Sequence, residues 1–278
     1  MPSAPKSPSQ QRVILITGTS SGIGQACARR LAARGWRVFG TQRAEPSGTP
    51  VDGIETISMD VDDDASVAAG VARVVERTGR LDAVVNNAGY AAAGAVEDTS
   101  IAEAKAQFET NFFGVLRVCR AVLPIFRSQR GGYLVNISSL AGTFGMPYAG
   151  MYSASKHAIE GLSESLRFEV KRFGIKVVMI EPGDFNTGMT QRRRVAAESA
   201  INPAYREAFA RALDKQNRDE TTAPTPESIA ILLERILNDP HPKLRYPIGM
   251  ASQTMVGPLR RFLPQRAFEW LGFKLLET

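Results

Sequence analysis

Cysteine is nearly absent: Cys27 and Cys119 are the only two in 278 residues. A secreted disulfide framework is therefore excluded as an organising device. Each cysteine falls within a helix-patterned stretch and reads as a small core residue, which fits a reducing, cytoplasmic setting. No apolar run reaches the ~18 residues of a bilayer-spanning helix. Residues 1–11 are rich in proline, serine and glutamine and lack the apolar centre of a signal peptide, so they read as a disordered tail. Basic residues exceed acidic ones only slightly, 34 against 28. Without an arginine/lysine stripe interleaved with aromatics, nucleic acid is not the expected partner. What is present, 44% apolar and 22% charged residues, suits one large α/β domain.

The apolar runs are short, β-branched and interleaved with helical patterns. A buried strand at 13–16 runs straight into Thr17-Gly18-Thr19-Ser20-Ser21-Gly22-Ile23-Gly24, and a helical pattern follows to about residue 33. Gly18 permits the tight turn, Gly22 lets a pyrophosphate approach the backbone, and Gly24 lets the helix pack against the strand. The free N–H groups and positive dipole end of that helix suit the same phosphate. No Gly-Lys-Ser/Thr closes the motif, so a P-loop is excluded. A second strand at 37–41 ends in Gln42-Arg43, where dinucleotide folds often carry an acid for the adenosine ribose. A guanidinium there suits a 2′-phosphate instead, so NADP(H) is expected over NAD(H).

A third strand at 54–58 ends in Met59-Asp60-Val61. The acids Asp62-Asp63-Asp64 with Ser66 then cap the next helix; without spaced partner ligands, no metal site is expected there. A fourth strand at 81–85 closes in Asn86-Asn87-Ala88-Gly89, small and amide residues suited to backbone contact with a ligand. Apolar residues keep helical spacing from 100 to about 129, with Asn111 among them as a polar group that must find partners if buried. A fifth strand at 133–137 ends in Ser138-Ser139, and a helix beginning at Tyr152 runs to about residue 173. A sixth strand at 175–180 leads into Glu181-Pro182-Gly183-Asp184-Phe185-Asn186-Thr187. This unbroken alternation predicts one parallel sheet with helices on both faces.

Tyr152-Ser153-Ala154-Ser155-Lys156 puts a phenol and an ammonium on one helix face, at i and i+4. A neighbouring cation favours the phenolate, so the tyrosine pKa is expected to fall from ~10 toward working pH. That makes Tyr152 an acid/base candidate. Ser138 and Ser139 point to opposite faces of their strand, so only one reaches the site. His157 points off the Tyr152/Lys156 face and reads as structural.

The turn Thr17-Gly18-x-x-x-Gly22-x-Gly24, the stretch Asn86-Asn87-Ala88-Gly89, and Ser139 thirteen positions before Tyr152-x-x-x-Lys156 occur in one order and spacing. In this the chain resembles the short-chain dehydrogenase/reductase family over roughly residues 12–190. The resemblance implies an α/β, Rossmann-type doubly wound parallel sheet in a single domain, 12–278. It implies that Tyr152 exchanges a proton with the substrate oxygen and that Ser139, chosen over Ser138 on the family spacing, hydrogen-bonds that oxygen. Lys156 would hold the nicotinamide ribose and lower the tyrosine pKa, and Asn111 would support a water-linked proton relay through Lys156. Gly18, Ser20, Ser21 and Ile23 would line the pyrophosphate, and Asp60 and Val61 would meet the adenine. Asn87, Ala88 and Gly89 would contact the adenosine and ribose, while Pro182, Gly183, Phe185 and Thr187 would bracket the carboxamide. Arg43 occupies the position of the family's NADP-preferring arginine. The family also pairs subunits through the helices at about 100–130 and 152–173, so a homodimer or homotetramer is expected.

Beyond Thr187 the resemblance thins. Residues from about 188 to 218 are expected to form a helical lid, with Met189, Val195, Ile201, Tyr205 and Phe209 as apolar contacts. The run Arg192-Arg193-Arg194 could attract an anion, but a solvated helix face is the simpler reading. Another helix at 226–238 and an edge strand at 244–248 follow. The extension from about 250 to 278 carries Leu259, Phe262, Phe268 and Trp270 among several arginines. In order of preference it is a cap over an apolar cleft, a subunit contact or a membrane-surface helix. The stretch 38–43 and Arg245-Tyr246-Pro247 look most like the steroid- and retinol-dehydrogenase-like branch, which suggests a bulky hydrophobic alcohol or ketone as substrate. Reduction of a 3-oxoacyl thioester is the alternative within the class. A dinucleotide-sensing scaffold without turnover is the alternative outside it, disfavoured because Ser139, Tyr152, Lys156 and Asn111 are all present.

Overall fold

The computed structural model describes residues 11–44 and 50–276. Residues 1–10 of the expected disordered tail lie outside the described residues. The strands are β1 (Val13–Ile16), β2 (Arg37–Gln42), β3 (Ile54–Ser58), β4 (Ala83–Asn86), β5 (Ala92–Ala93), β6 (Gly132–Ile137), β7 (Ile175–Pro182), β8 (Arg194–Val195) and β9 (Arg245–Ile248). Between and after them run α1 (Gly22–Ala33), α2 (Asp64–Thr78), α3 (Ile101–Phe108), α4 (Gly114–Gln129), α5 (Gly150–Val170), α6 (Met189–Arg192), α7 (Arg206–Thr222), α8 (Glu227–Asn238), α9 (Ala251–Thr254), α10 (Val256–Phe262) and α11 (Gln265–Leu276).

Seven strands form one parallel sheet in the order β3-β2-β1-β4-β6-β7-β9, while β5 and β8 pair separately. Strands covered on both faces read as continuous apolar runs, because successive side chains enter opposite layers. Thus Leu15, Phe39, Val84, Leu134 and Val177 meet α2, α4 and α5 in one layer. Their neighbours Ile14, Val38, Val85, Val135 and Val178 meet α1 and α8 in the other. Cys27 and Cys119 are buried and free, one in each layer, as expected of small core residues. Asp63 caps α2, its carboxylate accepting from Ser66 N at 2.6 Å. Pro247 sits on β9, the outermost strand, where a missing N–H interrupts no ladder.

Two helical expectations need correction. The single helix read from 100 to 129 is broken by a π-helical turn, Glu109–Phe113, which holds Asn111 in the interior. The apolar spacing continues across the wide turn, so periodicity alone does not register it. The lid is not one helix either: α6, β8 and a short 3-10 turn, Glu198–Ala200, precede α7.

The topology fixes where a ligand can sit. The chain leaves β1 toward β2 and β3, then returns to the other side of β1 as β4. The crevice outside the carboxyl ends of β1 and β4 is the switch point at which open α/β sheets bind ligands.

Candidate active site

The glycine turn is built at that crevice. Gly18 has φ +70° and donates its N–H to Thr41 Oγ1 at 3.2 Å. Thr17 Oγ1 accepts from Asn87 N and Ala88 N, both at 2.9 Å. The Asn87 amide donates to the carbonyls of Thr17 at 2.8 Å and Gly18 at 2.9 Å. Asn87 therefore braces the turn with its side chain. Gly24 serves a different contact from the one read in the sequence: a Cβ there would lie 2.3 Å from Gly18 O and 2.5 Å from Asn87 Nδ2. It is the turn folding back on itself, not the strand, that excludes a side chain. Ser20 is exposed, Ser21 is the N-cap of α1 without a side-chain capping bond, and Ile23 lines the cavity beside the turn. Bare backbone and uncapped N–H groups at a twelve-residue helix start fit a pyrophosphate.

Farther along the same edge, Arg43 is exposed just past β2, and its carbonyl accepts from Ser58 Oγ. Asp60 and Val61 follow β3; Asp60 Oδ1 accepts from Asp62 N at 3.1 Å, and Val61 is buried. Ala88 and Gly89 lie at the end of β4, with Gly89 on the cavity wall.

The second group converges on a cavity of about 1380 Å³ bordered by Ser139, Tyr152, Lys156, Pro182, Gly183, Phe185 and Thr187. Ser139 Oγ accepts from Ala141 N at 3.1 Å and donates to Pro182 O at 3.4 Å, and its hydroxyl is close enough to Tyr152 to lower that phenol's pKa. Ser138 is buried, and its hydroxyl has no hydrogen-bond partner among the described residues. Lys156 is buried, donates to Ile137 O at 2.8 Å and lies 5.7 Å from the Tyr152 ring centroid. His157 is exposed and held to Ser153 O at 2.9 Å, off the reactive face. Asn111 accepts from Tyr90 N and donates to Tyr90 O, both at 3.1 Å, and to Ser155 Oγ at 3.3 Å. Its side chain is used in these contacts and makes no hydrogen bond to Lys156 among the described residues.

The protonation balance differs from the expected one. Burial raises the Tyr152 pKa above its ordinary value, and the hydrogen bond from Ser139 is the main opposing influence. Burial also pushes the Lys156 ammonium down to about 8, against the attraction of Glu160. Desolvation penalises both charged forms, and the Lys156 ammonium is directed at the Ile137 carbonyl.

Part of the cavity wall comes from the variable part of the chain. Met189, Tyr205 and Phe209 line the cavity, as expected of lid residues. Val195 and Ile201 do not; they are 41% and 65% exposed. Val256, Leu259 and Phe268 of the C-terminal helices close another side. Gln253 seats them, donating to Asp184 Oδ2 at 2.5 Å and accepting from Asp184 N at 3.1 Å. The three arginines do not share one solvated helix face: Arg192 and Arg194 are exposed, but Arg194 lies on β8 and the Arg193 side chain is buried. Arg193 is buried against Glu220, Arg194 stacks 4.1 Å from the Tyr90 ring centroid, and Arg192 contacts Ser21 and Thr187. Apart from Thr187, their partners are far away in sequence, so no local pattern signals these contacts, nor the Gln253–Asp184 pair.

A glycine turn at the switch point, beside a serine, tyrosine and lysine on one cavity, defines the equipment of a dinucleotide-dependent oxidoreductase. The chain belongs to the short-chain dehydrogenase/reductase family, whose model, described as short chain dehydrogenase, matches residues 12–198. It is 38% identical to 3-ketodihydrosphingosine reductase of Bacteroides thetaiotaomicron, over 94% of this chain and 96% of that one. It is 34% identical to 17-beta-hydroxysteroid dehydrogenase type 1 of Mus musculus, over 84% and 72% respectively. A short-chain dehydrogenase structure from Streptomyces avermitilis superposes with a TM-score of 0.80 at 36% identity, covering 96% of this chain and 97% of that one. The chain is thus an oxidoreductase acting on CH–OH groups, with a nucleotide-binding site. The hydroxysteroid dehydrogenase among its relatives agrees with the branch read from the sequence.

Proposed function

We propose that this protein reduces the carbonyl of a bulky, apolar ketone with NADPH, or oxidises the matching secondary alcohol with NADP⁺. The observation that carries this reading is the convergence of Ser139, Tyr152 and Lys156 on one large cavity walled by Met189, Phe209, Leu259 and Phe268. When bound, the dinucleotide supplies the hydride. Tyr152 gives the proton to the carbonyl oxygen, Ser139 holds that oxygen, and Lys156 orients the ribose and compensates the phenolate left behind. Asn111, fixed in its π turn, positions α5 through Ser155 and in that way supports the lysine. Gly18, Ser20, Ser21 and Ile23 hold the pyrophosphate; Asp60, Val61, Asn87, Ala88 and Gly89 border the adenosine side. Pro182, Gly183, Phe185 and Thr187 border the carboxamide.

Arg43 supports the choice of NADP(H): its guanidinium makes no hydrogen bond or ion pair among the described residues and stands at the end of β2. The named activities of the two curated relatives support a lipid-like substrate over a small polar one. The packed C-terminal helices make a carrier-bound 3-oxoacyl thioester less suitable. We expect paired subunits, supported by Phe113 and Phe168, which are 43% and 74% exposed at the π turn and on α5; a monomer by light scattering at micromolar concentration contradicts this. No helix among the described residues is long and apolar enough to cross a membrane, and the two buried free cysteines support a cytoplasmic location.

The test is NADPH consumption against a panel of bulky apolar ketones. Turnover with at least one, and weaker use of NADH, is the expected result. Silence across the panel contradicts the enzymatic reading, and equal or better use of NADH contradicts the cofactor assignment. A pH profile gives a second check. The ammonium of Lys156 is present below about 8 and lost above it, so kcat/KM for reduction should fall as pH rises through that value. The same shift has the opposite sign for stability. The unfolded chain binds the extra proton between about 8 and the ordinary 10.5, so this lysine's contribution to folding improves as pH rises through that window. A reduction rate that climbs steadily from pH 7 to 10 contradicts this role for Lys156.

A further inference from the structure

Arg192 closes α6 and lies across the glycine turn. Its Nη1 donates to Ser21 Oγ, and its Nη2 donates to the Thr187 carbonyl at 2.8 Å. Unlike Arg193, which is tied to Glu220, it has no carboxylate partner among the described residues. The guanidinium stands at the positive end of α1, whose first turn contains no acid. A cation is disfavoured at that end of a helix dipole unless an anion completes the arrangement. Ser21 and Thr187 belong to the two loops that border the dinucleotide crevice, one before α1 and one after β7.

Resting on the dinucleotide reading above, the geometry points to Arg192 as a cofactor-binding residue supplied by the variable segment, gripping the pyrophosphate of the bound dinucleotide. Its planar fork matches phosphate oxygens, and turning from Ser21 to the anion frees the serine hydroxyl to donate to the same group. The contact also anchors α6, which carries Met189 on the cavity wall, beside the glycine turn. Substrate cover and cofactor anion are thereby joined through one side chain.

The experiment is calorimetric titration of the full chain and its variants with NADPH, NADH, ADP-ribose and 2′-AMP. Losing a hydrogen bond between charged groups corresponds to roughly 10–100-fold in affinity. Arg192→Gln should therefore raise Kd about 10–100-fold for NADPH, NADH and ADP-ribose alike, since all three carry the pyrophosphate. Binding of 2′-AMP, which lacks it, should be unchanged. Arg192→Lys should fall between the two, keeping the charge and losing the fork. Arg43→Gln should weaken NADPH and 2′-AMP while sparing NADH, which separates the two arginines. Unchanged Kd values in Arg192→Gln overturn the assignment, and so does equal weakening of 2′-AMP, which marks a structural defect. If the parent binds 2′-AMP but neither dinucleotide nor ADP-ribose, the pyrophosphate reading and the role of Arg192 fall together.

Discussion

Replacing Tyr152 by Phe is expected to lower turnover by about 10²–10⁴-fold while leaving the dinucleotide Kd within about twofold. The range is that of a positioned general acid, and nothing nearby takes over the role. Ser139 is a neutral hydroxyl already engaged with Ala141 N, and His157 is exposed and directed elsewhere. Lys156 donates to the Ile137 carbonyl. The substitution removes one hydroxyl and its interaction with Ser139, leaving the ring in place, so the fold should survive. A phenol at its ordinary pKa of ~10 is already in its acid form at neutral pH, the form that carbonyl reduction consumes, and burial acts in the same direction. Steady-state NADPH oxidation with the best panel ketone, paired with a dinucleotide titration, separates the two effects. Activity within tenfold of the parent contradicts the assignment of Tyr152.

Replacing Gly24 by Ala should damage the cofactor crevice without touching the reactive group. The added carbon would come within 2.3 Å of the Gly18 carbonyl, a backbone atom with no rotamer to change, and 2.5 Å of the Asn87 amide. Relief requires moving the turn or expelling Asn87 from its bonds to Thr17 and Gly18. Overpacking of this kind costs about 1–3 kcal/mol in stability. The displaced turn should weaken dinucleotide binding by about 10²-fold, since an ångström of misplacement carries penalties of that order. Thermal denaturation and titration should therefore change together, in contrast to Tyr152→Phe, which spares the titration. A Gly24→Ala protein with parental Tm and Kd contradicts the close contact.

Much of this architecture is legible in the sequence because both sheet faces are covered. Strands such as Val13–Ile16 and Ala83–Asn86 are fully buried, and their composition announces it. The glycine turn, Ser139 and the Tyr152/Lys156 pair are also legible, since each depends on residues close together in the chain or on a recognised spacing. Contacts that depend on distant partners are not. Arg192 meets a serine 171 positions away, and Gln253 meets an aspartate 69 positions away. The π turn escapes because apolar residues stay in helical phase on either side of Asn111. The tyrosine pKa escapes for a different reason: pairing favours the charged form and desolvation opposes it, and only the degree of burial decides between them. Val195 and Ile201 are apolar residues on a surface segment, where composition does not distinguish an inward from an outward side chain.

A crystal structure of the chain with NADP⁺ and an apolar ketone bears most directly on the catalytic reading. The account predicts the ketone oxygen within hydrogen-bond distance of both the Tyr152 hydroxyl and Ser139 Oγ, with the carbonyl carbon facing the nicotinamide C4. A ketone seated in the cavity with its oxygen turned away from Tyr152 would contradict it.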